Sequence, residues 1–89
     1  MRPSTETTIT IQVLCFAQLR ERLGQSAFSL TLSSGATGRD LVSALRARHP
    51  TLGPLLEVSR LAVNCEYVVD DVVLRDGDDV ALITPVSGG

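Results

Sequence analysis

The chain has 89 residues, 8 basic against 10 acidic, and a net charge of −2. That is one small domain, with room for a single core and no elaborate catalytic cleft. A hydrophobic fraction of 44% excludes general disorder, and no apolar run reaches the ~18–20 residues of a membrane helix.

The charge balance lacks the basic excess that marks nucleic-acid binding, and aromatics are only Phe16, Phe28 and Tyr67. No nucleic acid and no membrane is expected as a partner. Every basic residue is Arg, so Schiff-base chemistry and a phosphate-loop lysine are both excluded. Cys15, Cys65 and His49 are too few for a structural zinc or iron–sulfur site, and no metal is expected. The first ten residues, MRPSTETTIT, have no secretory character, so the expected location is cytoplasmic, where a disulfide is improbable.

Residues 1–7 read as a flexible N-terminal arm, residues 8–84 as the folded domain and residues 85–89 as a flexible tail. Ile9, Ile11, Val13 and Cys15 alternate with Thr8, Thr10 and Gln12, which predicts a half-buried strand with Cys15 in the core. The alternation breaks at Leu14 and Phe16. Those two either form a contact patch or are covered by the next segment. Residues 17–24 predict a short helix, with Leu19 and Leu23 on one face and Gly24 closing it. Phe28, Leu30 and Leu32 then alternate with Ser29, Thr31 and Ser33 as a second strand, ended by Ser34-Gly35.

Thr37 offers an N-cap with Asp40 three residues on, and Leu41, Val42 and Leu45 make the apolar stripe of the main helix. Arg46, Arg48 and His49 fall in its last turn, where His49 faces the helix dipole, and Pro50 stops it. Residues 51–60 read as a loop with room for one helical turn. Leu61-Ala62-Val63 and Tyr67-Val68-Val69 are β-rich. Either one strand runs through Asn64-Cys65-Glu66, or a hairpin turns at Asn64-Cys65. Asp70-Asp71 and Asp76, Asp78 and Asp79 read as solvated turn clusters that could also face a basic partner. They lack the glutamate that would close a calcium loop. Residues 80–83 form a last strand, able to be buried on both faces. The order implies an α+β domain, a mixed sheet with one main helix packed on one face.

The C-terminus either frays or reacts. Pro85 ends the last strand, and Val86, Ser87, Gly88 and Gly89 follow. Two terminal glycines can thread a narrow channel in extended form. A free terminal carboxylate is ionised at pH 7, with a reference pKa near ~3.5, and is a poor electrophile. A partner would have to activate it, as an acyl-adenylate from ATP. Attack by a sulfur nucleophile would then leave a thiocarboxylate.

The stretch from Val13 to Glu21 with its Phe-Ala-x-Leu-Arg-Glu segment resembles the molybdopterin synthase small subunits, the MoaD-type sulfur carriers. Ala62-Val63-Asn64, Glu66-Tyr67-Val68, residues 76–81 and the ending Pro85-Val86-Ser87-Gly88-Gly89 fit the same family, so the resemblance spans residues 9–89. It implies a ubiquitin-like β-grasp of about five strands. It also implies that Gly89 is the reacting residue and Gly88 the thin neck behind it. An E1-like enzyme would adenylate Gly89 and a sulfur donor enzyme would convert it to a thiocarboxylate. The tail would then deliver sulfur to cyclic pyranopterin monophosphate inside the large subunit. Two small and two large subunits would form a heterotetramer. This chain would bind no cofactor, and ATP would be used by the activating partner. Phe16, Tyr67 and Ile83 would form the docking patch, the other reading of Tyr67 and Ile83 being ordinary core or sheet-face packing. Two positions depart from the family. Cys65 stands where relatives often have glycine after Asn, and Thr84 takes the place of a first proline. Rival readings are a carrier for thiamine or tRNA thiolation, a ubiquitin-like protein modifier, and a plain interaction module.

Overall fold

A computed structural model describes residues 8–84. The arm (residues 1–7) and the tail (Pro85, Val86, Ser87, Gly88 and Gly89) lie outside the described residues. Strand β1 is Thr8–Cys15, helix α1 Ala17–Leu23, β2 Ala27–Ser33 and α2 Gly38–Arg48. A 3₁₀ turn Pro50–Leu52 leads into α3 Gly53–Val58, followed by β3 Arg60–Val63, β4 Glu66–Val68 and β5 Asp79–Ile83. The sheet order is β2-β1-β5-β3-β4, with β1 and β5 parallel at the centre and every other pair antiparallel. This is the mixed sheet expected of a β-grasp.

The period of two in β1 sends Ile9, Ile11, Val13 and Cys15 to one face, all buried. Leu30, Leu61, Val80 and Leu82 from the neighbouring strands join them. Helix α2 contributes Leu41 and Leu45, both fully buried, four apart on its sequence and hence on one face. Leu19 of α1 completes this layer. Burial pushes the Cys15 thiol up from its ordinary range, so it behaves as a small apolar side chain.

Thr37 caps α2 as the sequence indicates. Its Oγ1 accepts from the Asp40 N–H at 3.3 Å, and its own N–H donates to Asp40 Oδ2 at 2.9 Å. The next two N–H groups go elsewhere: Gly38 donates to the Val72 carbonyl at 3.0 Å and Arg39 to the Asp70 carbonyl at 2.9 Å. The loop before β5 is thereby lashed to the helix start. This approach needs a glycine, because a Cβ on Gly38 would stand 2.5 Å from Leu61 Cδ1 and 3.1 Å from the Asp70 carbonyl oxygen. Gly38→Ala is therefore expected to lower the unfolding free energy by about 1–2 kcal/mol, read by urea denaturation.

Two expectations are corrected. Residues 51–60 are mostly helical rather than loop: Leu52 and Leu56 are both buried and lie four apart, and Pro54 sits in the first turn of α3, where no N–H partner is required. The β-rich run ends at Val68, one residue early, and Val69 is left exposed in the turn whose carbonyl accepts from the Val72 N–H.

The open question at Asn64-Cys65 is resolved as a hairpin. Val63 pairs with Glu66, and both turn residues have positive φ, 50° at Asn64 and 73° at Cys65. That is the requirement of a two-residue type I′ turn. Asn64 also ties the turn to β5, since its Nδ2 donates to Asp78 Oδ1 and its Oδ1 accepts from the Asp79 N–H, both at 3.0 Å. Cys65 holds the left-handed conformation against its Cβ. Cys65→Gly is expected to raise stability by up to about 1 kcal/mol, seen as a higher urea midpoint.

Candidate functional site

The second face of the sheet is divided. Its β1–β2 half is polar: Ser29 Oγ donates to Gln12 Oε1 at 2.8 Å, and the Thr10 and Thr31 hydroxyls meet at 3.4 Å. The other half is apolar. The strand registers place Leu14 beside Ala81, Ala81 beside Ala62 and Ala62 beside Tyr67, one row across four strands.

That row forms the floor of an open groove lined by Leu14, Phe16, Ala62, Cys65, Tyr67, Asp79, Ala81 and Ile83. Its walls are the large side chains. Phe16 is 49% exposed and Tyr67 59% exposed, both far above what core packing leaves. Small residues at positions 62 and 81 keep the floor low between them. Phe16 stands at the β1–α1 junction in extended conformation (φ −130°, ψ 158°), as the N-cap of α1 without any side-chain cap bond. Ala17 next to it has φ 51°, a conformation that costs an alanine about 1–2 kcal/mol. The corner thus holds strain beside the ring it presents. Across the groove, the Arg60 guanidinium carbon lies 4.5 Å from the Tyr67 ring centroid, which steadies that ring in the solvent.

Phe16, Tyr67 and Ile83, singled out in the sequence, are therefore brought together on one surface. Ile83 is half-buried at the rim, and the chain passes from it through Thr84 into the tail outside the described residues. At the break in alternation α1 does not cover the apolar pair: Phe16 is exposed and Leu14 is half-buried. Sequence reasoning missed Ala62, Ala81 and Arg60. Their signal was weak: an alanine inside a β-rich run reads as filler, and residues 80–83 read as buried on both faces. Only Val80 and Leu82 are fully buried there, whereas Ala81 and Ile83 look onto the groove.

The groove has little chemistry of its own. Its polar members are the Asp79 carboxylate, the Tyr67 hydroxyl and the Cys65 thiol, which is free and exposed. Three further aspartates are taken up in turn hydrogen bonds and a surface ion pair. Asp76 Oδ1 accepts from the Thr10 N–H at 2.7 Å, Asp78 Oδ2 from the Arg75 N–H at 2.8 Å, and Asp71 pairs with Arg39 at 2.7 Å. Among the described residues no three His, Cys, Asp or Glu side chains are grouped to hold a metal ion, and no helix is long and apolar enough to cross a membrane. The groove is an open and mainly apolar surface.

The profile of the ThiS family matches residues 13–89. The molybdopterin synthase sulfur carrier subunit of Chlamydomonas reinhardtii is 42% identical over 81 residues, covering 89% of this chain and 98% of that protein. Among solved structures, a candidate molybdopterin converting factor subunit 1 from Pyrococcus furiosus superposes with a TM-score of 0.80 at 30% identity, covering 88% of this chain and 99% of its own. SAMP1 from Haloferax volcanii superposes with a TM-score of 0.78 at 27% identity, covering 90% and 99%.

Proposed function

Because the chain belongs to the ThiS family, we propose that it is the sulfur carrier subunit of a molybdopterin synthase, with Gly89 as the residue that carries the sulfur. The observation that carries the reading is the joint presence of two features. One is the apolar groove of Phe16, Tyr67 and Ile83 at the end of β5; the other is the Gly88-Gly89 pair a few residues beyond it. The name of the Chlamydomonas relative and its near full-length match support the same function.

The chemistry divides between carrier and partners. The Gly89 carboxylate is ionised at neutral pH and must be activated. An E1-like enzyme supplies ATP, the carboxylate oxygen attacks the α-phosphorus, and pyrophosphate leaves. A sulfur donor enzyme delivers a sulfide equivalent to the acyl carbon, AMP leaves, and Gly89 ends as a thiocarboxylate. The thiocarboxylate sulfur is a soft nucleophile suited to building the dithiolene on cyclic pyranopterin monophosphate in the large subunit. Pro85, Val86, Ser87 and Gly88 are the segment that enters that subunit, and the lack of side chains on the two glycines lets it pass a narrow channel. The groove provides docking, first on the activating enzyme and then on the large subunit of a heterotetramer.

Reconstitution tests this. Full chain, large subunit, E1-like enzyme, sulfur donor, ATP and cyclic pyranopterin monophosphate are expected to yield molybdopterin, and omission of the chain to yield none. Similarity to SAMP1, a small archaeal modifier protein, favours a second reading as a protein modifier. Adducts of Gly89 with substrate lysines, recovered from a lysate, would support it in place of the carrier.

A further inference from the structure

We propose that β2 is a self-association edge, through which two copies of the chain pair antiparallel about a two-fold axis at Leu30 and join their sheets. Strand β2 pairs with β1 on one side, and among the described residues nothing pairs with the other. The Cys15 N–H donates to the Ser26 carbonyl at 2.8 Å, and in an antiparallel ladder the hydrogen-bonded pairs alternate from there. Residues 28, 30 and 32 therefore turn their main-chain groups toward β1. Ala27, Ser29 and Thr31 turn theirs outward, and so does Ser33, whose carbonyl also accepts from the Ala36 N–H at 3.0 Å.

Seven residues of free edge are usually guarded by a charge, a proline or a bulge. Ala27–Ser33, with the sequence AFSLTLS, has neither charge nor proline and pairs with β1 in unbroken register. The opposite edge, β4, is only three residues long and carries Glu66. The β2 sequence also matches its own reverse. About a two-fold at Leu30, Phe28 falls opposite Leu32 of the second copy, Ser29 opposite Thr31 and Ala27 opposite Ser33. Apolar residues meet on the core side, where Phe28 and Leu32 are half-buried at the rim, and small polar residues meet on the outer side. The outward-turned residues 27, 29, 31 and 33 are those that this register makes hydrogen-bonded pairs, while Leu30 meets its copy in a non-hydrogen-bonded pair. The unguarded composition leaves the edge open and the main-chain phase allows the pairing, while the near-palindromic side-chain pattern about Leu30 selects a second copy as the partner.

The docking groove takes no residue from β2, so a dimer formed this way leaves it open. One strand pair buries less than the ~1,200 Å² of a standard interface, so the association is weak and rises with concentration.

Sedimentation velocity of the full chain from micromolar to millimolar concentration tests the proposal. A concentration-dependent dimer is expected. Ser29→Lys with Thr31→Lys, both on the exposed face, is expected to weaken it by about tenfold or more, whereas Ser29→Asp with Thr31→Lys places opposite charges across the two-fold and retains it. A second measurement needs no variant: the Ser29 and Thr31 amides should exchange more slowly as the concentration of the native chain rises. A monomer at every concentration, a dimer unmoved by the paired lysines, or amide exchange independent of concentration overturns the proposal.

Discussion

Phe16→Asp is expected to weaken docking on the large subunit roughly 30-fold while leaving the fold intact. Phe16 occupies the N-cap of α1 in extended conformation and makes no cap bond, so the helix start lacks the side-chain acceptor it could use. An aspartate there accepts from the first-turn N–H groups and faces the positive helix end, so stability is expected to hold or rise by about 0.5–1 kcal/mol. Little core packing is lost, because the ring is 49% exposed. Docking suffers twice: an aromatic anchor is lost and a charge is placed in a surface that a partner must dehydrate. A loss of about 2 kcal/mol or more, roughly 30-fold in affinity for the large subunit, is expected by calorimetry. An unchanged urea midpoint in the same variant separates docking from folding.

Deletion of Gly89 is expected to eliminate sulfur transfer, with no measurable loss of stability. The deleted residue lies beyond β5 and outside residues 8–84, where the core is complete. Docking through the groove is expected to persist within about threefold, since Phe16, Tyr67 and Ile83 are untouched. The reaction is lost for a positional reason. The new terminal carboxylate, on Gly88, falls one residue short, about 3.3–3.6 Å of extended chain, and effective reaction demands placement within about 1 Å. Molybdopterin formation in the reconstituted system, compared with binding of the same variant, checks both halves of this expectation.

Much of this was legible in the sequence because the physics was local. The alternation of Ile9, Ile11, Val13 and Cys15, the Thr37–Asp40 cap and the closing Gly24 each need only neighbouring residues to be read. The break in pattern at Leu14 and Phe16 was the most informative signal, since apolar residues on a polar face are either exposed as a patch or covered by the next segment. What escaped depended on partners distant in the chain. Helix α3 forms because Leu52 and Leu56 find the core, which its Gly-Pro start conceals. Ala62 and Ala81 matter only because β3 and β5 place them side by side between Phe16 and Tyr67. Arg60 acquires its role through a stacking contact across the β3–β4 hairpin, seven residues away. Gly38 likewise gives no local sign that Leu61 and the Asp70 carbonyl crowd against it. Tyr67 and Ile83 carry no local signal and are indicated by the family resemblance alone, whereas at Phe16 the broken alternation agrees with it.

Intact mass of the chain before and after incubation with ATP, the E1-like enzyme and the sulfur donor tests the sulfur-carrier function most directly. The expected result is a gain equal to exchange of one oxygen for sulfur, mapped by fragmentation to Gly89 and absent when ATP is omitted. An unchanged mass, under conditions that convert a known carrier, would contradict it.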